Sequence, residues 1–484
     1  MTVSRPHRLG IIVALIWGGI VTLSPQFAIA LLIVGLLVAF SLYSPIAALA
    51  STLVISPLRT LFATEANIAL PLDIGLLLLL AFLGSYFAHR ILHRQAVVPQ
   101  RVSVIFVPFA IVLLIFGFNI FVATASSFWF NEWLKWLIML VLVVLILHSF
   151  NEKNWWWLPV LLAAAIIANA LVGLYIFLGG SGADHLLILG RFYRAFGTFG
   201  QPNPFGGFMG LHLPLFVALS FSGLLNLLVS WRRQRKLSIQ HLISTGIFGL
   251  ASGLALIAII ASWSRGAWLG VIASMGAFFF LLPDKHWQRI FLTGIGLLVL
   301  GGAWFGGFVP QSVIARVTSS TEDFFAFEDV RGVDITSENY AVVERLAHWQ
   351  AALNMTRTDP WLGVGLGNYE VVYDEYRLQN WSEALGHAHN YYLNILGETG
   401  LIGLIAYVLF WGWIVILTWR IKTHPDFTVR IVAAGLIGCW VYFAVHSLFD
   451  NLFVNNLFLH LGCLLGLLTL LYRSTTQSIT VRTI

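Results

Sequence analysis

Apolar runs of about 20 residues recur along this 484-residue chain, each closed by a short polar or proline-bearing break. A helix of that length crosses a hydrocarbon core of roughly 30 Å. Reading runs against breaks predicts helices at 9–23, 26–42, 45–62, 68–88, 102–125, 131–149, 155–178, 204–229, 241–262, 266–283, 288–307, 390–419, 430–449 and 453–472. The third begins at Pro45 and holds Pro57, and the first two are barely separated, so twelve true spans fit as well as fourteen. Two polar intervals interrupt the series, at 179–203 and 308–389. Within the second, ENYAVVERLAHWQAALNMTRTDP and YEVVYDEYRLQ carry amphipathic helical spacing, and the glycine-rich WLGVGLGNY between them reads as a turn. The expected fold is therefore all-α: a polytopic helical membrane bundle of about 12–14 spans with a helical extracytoplasmic cap. Its parts are a bundle over 1–307 with outer loop 179–203, a cap over 308–389, and helices with a cytoplasmic tail over 390–484.

Composition agrees with a chain that lives in lipid. It is 59% hydrophobic and only 10% charged, against roughly 25% charged in soluble domains. The net charge of +6 would suggest nucleic acid in a soluble protein, but here the basic residues sit in short loops that orient helices, and no nucleic-acid partner is read. Cys439 and Cys463 fall inside apolar runs and read as packing residues. The first apolar run lacks a clear cleavage site and is followed at once by another, so it reads as a retained helix.

With a cytoplasmic N-terminus, 17 of the 27 Lys and Arg fall on the inner side, including every short, strongly basic loop, and both ends are cytoplasmic. Lys135 lies within a span, and nine arginines remain outside. Four of them, Arg191, Arg194, Arg265 and Arg345, border the polar intervals and a His-Ala-His-Asn segment, a grouping that suggests a bound anion. Arg59, Arg316, Arg331, Arg357 and Arg377 carry no such association. No DxD motif or His-Cys cluster is visible outside, which disfavours a divalent-ion mechanism.

Four passages, RFYRAFGTFGQPNPFGGF, SWSRGAWLG, ERLAHWQAALNMTRTDPWLGVGLGNY and HAHNYYLNILGETGLIGL, resemble the O-antigen ligase and polymerase superfamily of membrane glycan transferases in sequence, order and membrane placement. The resemblance covers roughly residues 190–450. It implies a bacterial inner-membrane enzyme whose site faces outward, and which moves a glycan from an undecaprenyl pyrophosphate-linked glycan donor to a glycan or glycolipid acceptor, typically lipid A core, without metal or other cofactor. Membrane lipids are the remaining expected partner. Guanidinium groups suit such a donor, because they grip phosphate oxygens bidentately and stay charged.

The site expected from the resemblance has His389 as general base, with inversion at the sugar C1, and Arg191, Arg194, Arg265 and Arg345 on the pyrophosphate. Each has a plainer reading. Arg265 could end a helix at the headgroups, Arg191 and Arg194 could touch lipid unless RFYR begins a helical turn that puts both on one face, and Arg345 could pair with Glu344. By spacing, His387 is as good a base as His389, and Asn390 could position substrate or cap the next helix. His212, His446 and His460 read as contacts between helices. The competing functions are a polysaccharide polymerase, an anion transporter for bicarbonate, and a non-catalytic glycan-binding protein.

Overall fold

The computed structural model describes residues 44–58, 74–92, 104–151, 153–180, 184–234, 238–283, 285–315, 318, 329–336 and 339–483. Predicted helices 9–23 and 26–42, with Arg5, Arg8, Arg59, Arg94, Arg101, Arg235, Lys236 and Arg316, lie outside the described residues. The chain forms two compact units, Met1–Pro99 and Gln100–Ile484.

In the first unit, helices α1 (Pro45–Ile55) and α2 (Ile74–Leu92) pack on each other. Ser44 caps α1 by accepting a bond from the Ala47 amide, with Pro45 in the first turn where its missing N–H costs nothing. The expected helix at 45–62 gives way at Ser56–Leu58 to a tighter turn around Pro57.

The second unit holds α3 (Phe106–Phe118), α4 (Ser126–Ser149), α5 (Trp157–Phe177), a two-residue hairpin β1 (Leu187–Ile188) and β2 (Phe192–Tyr193), α6 (Pro202–Gln234), α7 (Ile239–Ser262), α8 (Arg265–Leu281) and α9 (His286–Phe305). It continues with α10 (Tyr340–Thr358), α11 (Tyr369–Tyr376), α12 (Tyr391–Ile421), α13 (Phe427–His446) and α14 (Leu457–Thr483). Both amphipathic stretches of the long polar interval are thus helices. Among the described residues α4, α5, α6, α7, α12, α13 and α14 are each long and apolar enough to cross a membrane, which makes this a multi-pass membrane protein. The last helix overruns its predicted end because no glycine or proline stops it before Thr483.

The core is built around α6, which packs on α7 and α13, while α8 packs on α13 and α4 on α14. Small residues permit the close approach: a Cβ at Gly210 would lie 2.1 Å from the Tyr442 ring, whose hydroxyl donates to the Gly206 carbonyl at 3.0 Å.

Helix α12 is interrupted. Gly400 has φ 62° and ψ −167°, a conformation open essentially to glycine alone, and the backbone groups freed there are taken up by the turn that follows α10. The amides of Val364 and Gly365 donate to the carbonyls of Gly397 (3.1 Å) and Glu398 (2.8 Å), and the amides of Leu401 and Ile402 donate to those of Pro360 (2.9 Å) and Trp361 (3.3 Å). The same turn is held from its other side, where Asn119 donates to the Leu362 carbonyl at 2.7 Å and Asn368 accepts from the Ala125 amide at 2.6 Å. The turn in WLGVGLGNY therefore docks the cap onto the bundle.

A Cβ at Gly400 would sit 2.2 Å from the Trp361 carbonyl carbon, whereas one at Gly412 in the same helix would meet nothing within 4 Å. Gly400→Ala is expected to cost about 2–4 kcal/mol and to lower the thermal unfolding midpoint in detergent by several degrees. Gly412→Ala should leave it unchanged. Equal midpoints for the two variants would show that the break is not needed.

Candidate active site

His389 immediately precedes α12 and is held at φ 51°, an uncommon backbone for a residue with a side chain. Its neighbours fix it there. Asn390 caps the helix, its Oδ1 accepting from the Tyr392 and Leu393 amides at 3.1 Å each, so the capping reading of Asn390 is the one its bonds express. The Ala388 amide donates to Asn394 Oδ1 at 3.0 Å, and the Tyr391 amide to the Ser447 carbonyl at 2.8 Å. The chain is thereby pinned to its own helix on one side and to the end of α13 on the other.

This brings both histidines to one carboxylate. His389 Nδ1 lies 3.7 Å and His387 Nε2 3.8 Å from Oδ1 of Asp450, which is 4% exposed in the turn after α13. Both distances exceed a hydrogen bond but are within reach of small ring rotations. The His389 amide donates to His387 Nδ1 at 3.1 Å, which occupies that nitrogen, while neither ring nitrogen of His389 has a hydrogen-bond partner. Two further imidazoles close the group. His348 of α10 stands edge to face with His389 at 5.6 Å between centroids and bonds the Tyr369 hydroxyl at 2.8 Å. His446 ends α13, and its carbonyl accepts from the Asp450 amide at 3.1 Å.

Asp450, His446 and His348 are the residues that sequence reasoning missed. Asp450 had a signal: it is a single acid in a tight turn between two apolar runs, on the side of the membrane assigned to His389. His446 and His348 had none, since a histidine in an apolar or amphipathic helix is ordinarily a packing residue.

The electrostatics follow from burial and from the shared carboxylate. Burial alone would raise the Asp450 carboxyl, but the imidazoles of His389, His387 and His446 outweigh it and hold the group below the ordinary carboxylate range. Burial, then the neighbouring His389, depresses His387 to about 4 despite Asp450. His348, buried under the cap beside the same two histidines, is held at about 3.

The four arginines are placed differently from one another. RFYR is not a helical turn: Phe192 and Tyr193 form β2, paired antiparallel to β1, so the expectation that a helix puts Arg191 and Arg194 on one face is corrected. Arg191 is exposed, with its guanidinium over the Phe192 ring at 5.4 Å. Arg194 folds inward, donating to the Ser262 carbonyl at 3.0 Å and to Asn203 Oδ1 at 3.1 Å, which carries it to the end of α7 three residues before Arg265. Arg265 opens α8, and next to it Gly266 lies against His446, whose Nδ1 a Cβ there would meet at 3.5 Å. Arg345 makes no ion pair with Glu344 among the described residues; its Nε is buried without a partner, and its charge is felt at His387 and His446.

One donor set has the spacing to hold a cation: His387, His389 and Asp450 offer ligand atoms all within 4.8 Å of one another. Two imidazoles and a carboxylate suit a zinc-like ion. The charge of the half-buried Arg345, which acts on His387, opposes a second cation.

Residues 250–408 match the family model described as O-antigen ligase. This segment is similar to the O-antigen ligase family. It contains Arg265, Arg345, His387 and His389, whereas Arg191, Arg194, His446 and Asp450 come from outside it. The chain is also 24% identical over 206 residues to an uncharacterized protein of Haemophilus influenzae, covering 40% of this chain and 48% of that one. It is 24% identical over 209 residues to the teichuronic acid biosynthesis protein TuaE of Bacillus subtilis, covering 43% and 40%. The chain thus spans less than half the length of either relative. Among solved structures it is similar to a chain described under structural coordination of polymerization and crosslinking by a peptidoglycan synthase complex, with TM-score 0.41, 15% identity, and coverage of 77% of this chain and 98% of that one.

The depressed histidines of this site make stability depend on pH. Between about 6.5 and their folded values near 4 and 3, His387 and His348 bind protons in the unfolded chain but not in the folded one. Their neutral burial therefore stabilises fully above pH 6.5, and that contribution is lost as pH falls through this window. The unfolding midpoint should fall steadily from pH 6.5 to 4, with a shallower slope in His348→Gln. An identical slope in the variant would contradict the assignment.

Proposed function

We propose that this protein is a metal-independent glycosyltransferase of the O-antigen ligase type, acting at the outer face of a bacterial inner membrane with both termini cytoplasmic. It moves a glycan from undecaprenyl pyrophosphate to a hydroxyl of a glycan or glycolipid acceptor such as lipid A core. The observation that carries this reading is His389, unbonded at both ring nitrogens among the described residues and beside the carboxylate of Asp450, with Arg345 near enough for its charge to act on the neighbouring His387. A base and a fixed cation at one site serve the displacement of a pyrophosphate.

On this reading each group has a task. Nδ1 of His389 faces Asp450, which leaves Nε2 for the acceptor. As the acceptor oxygen bonds to C1 of the donor sugar, its proton passes to Nε2, the C1–O bond to phosphate breaks from the opposite face, and the electron pair leaves with undecaprenyl pyrophosphate. The configuration at C1 inverts. Asp450 steadies the imidazolium that forms, as a positioning residue, and the charge gathering on the leaving pyrophosphate is met by Arg265 and Arg345, with Arg191 and Arg194 on the approach from the hairpin. His387, whose Nδ1 accepts the His389 amide, orients the base. The likeness to TuaE supports a second reading, in which the acceptor is another lipid-linked repeat of a surface polysaccharide.

Reconstituted with lipid-linked donor and acceptor, His389→Ala should lower transfer by about 10²–10⁴-fold. Arg265→Ala and Arg345→Ala should each lower it by about 10–10³-fold. Full transfer by His389→Ala and Arg265→Ala would end the mechanism. Treatment with a strong chelator should leave the rate unchanged, and a loss restored by added divalent ion would assign His387, His389 and Asp450 to a metal instead.

A further inference from the structure

Beside the imidazole group lies a cavity of about 240 Å³ at the outer ends of α4 and α12. Its polar walls are the carboxylates of Glu132, Glu370 and Glu398 and the amides of Asn131, Asn394 and Asn451, with Phe128 and Tyr391 supplying ring surface. It adjoins the proposed base through three of its lining residues. Gly386 precedes His387, Asn451 follows Asp450, and Asn394 accepts the amide of Ala388. Among the groups near the same imidazoles are Arg345, whose charge acts on His387, and the start of α8, where Gly266 lies against His446.

We infer that this cavity is the acceptor subsite and that it takes a neutral, hydroxyl-rich sugar unit. The inference rests on the transferase reading above and specifies one of its substrates. Glu398 is 4% exposed and accepts from the Tyr369 amide at 3.2 Å, and among the described residues neither it nor the exposed Glu370 forms an ion pair. Carboxyl and amide groups that line a cavity are satisfied by partners that both donate and accept, and sugar hydroxyls are such partners. Only Glu132 is neutralised, by Lys135, which also donates to the Phe453 carbonyl at 3.0 Å.

The cavity does not fit the two obvious competitors. An anion would find no basic side chain among the residues that line it. A metal ion needs ligand atoms that converge, and among the described residues the set that converges is His387, His389 and Asp450, not these acids. Carboxylates and amides spread around a small cavity, with a ring face beside them, instead match the hydroxyls and apolar face of a pyranose. A sugar held there would present its hydroxyls beside His389, where the proposed reaction needs its nucleophile.

Two variants test the subsite without touching the imidazoles: Glu370→Gln on the exposed face of α11, and Asn131→Trp, which fills the cavity from the end of α4. With each confirmed as folded by an unchanged unfolding midpoint, the acceptor KM should rise at least tenfold while the donor KM stays within twofold. In saturation-transfer NMR on the protein in nanodiscs, maltose, lactose or cellobiose should give a signal that Asn131→Trp abolishes and His389→Ala retains. Cellobiouronic acid should give a signal at least threefold weaker than cellobiose. Unchanged acceptor KM in both variants, a disaccharide signal that survives Asn131→Trp, or no signal from any of the three neutral disaccharides overturns the assignment, even where His389→Ala abolishes transfer and the wider reading stands. If wild-type protein transfers nothing, the transferase reading fails, and loss of the disaccharide signal in Asn131→Trp still decides whether the cavity binds sugar.

Discussion

A helix in lipid must satisfy its backbone groups from within the protein, and α12 abandons that self-sufficiency at Gly400. The freed carbonyls and amides are met by the backbone of the turn at 360–365, so the break is also the joint that fastens the cap to the bundle. Two amides reinforce it from α3 and α4, Asn119 by its own side chain and Asn368 by bonding Ala125. Because α10 enters this turn and α11 leaves it, the joint sets the height of His348 above the first turn of α12. The joint and the direct packing of α10 on α12 together fix the two helices, and with them His348 and His389.

The second organising term is desolvation. Asp450 is drawn out of water and Arg345 partly so, and Coulombic interactions there are stronger than at a surface. Three imidazoles, those of His387, His389 and His446, act on the carboxylate, while His387 and His348 are kept uncharged by burial. In the transfer proposed above, groups so placed would act more strongly on a leaving pyrophosphate than the same groups in water.

Much of this was legible in the chain. Each predicted helix whose residues are described is present, because a 20-residue apolar run leaves a backbone in lipid few alternatives to a helix. The two cap helices were readable from periodicity and the turn between them from its glycines. What the turn docks against was not, since the pairing of Gly365 with Glu398 is a contact between backbones and leaves no side-chain pattern. His389 and His387 lie beside one carboxylate and the charge of Arg345 acts on His387, but local spacing misjudged RFYR, where pairing with Leu187 and Ile188 prevails over any helical tendency. Asp450 and His446 escaped because they belong to the far end of the chain and are joined to His389 only by the fold.

One regularity in α12 connects these observations. Asn390, Asn394 and Glu398 recur at intervals of four, which puts them on one stripe of a helix that is otherwise apolar. Each spends its polar atoms on a different segment. Asn390 closes the end of its own helix, Asn394 holds the amide of Ala388 and with it the histidine loop, and Glu398 takes the amide of Tyr369 from the cap. Two residues beyond the stripe the helix breaks and admits the cap turn. A polar stripe in a membrane helix carries a desolvation cost at every step. Here the cost is offset by tying cap, histidine loop and helix end to one rigid element, and an imidazole between a fixed cation and a hydroxyl-accepting cavity needs that rigidity to act on one oxygen and no other.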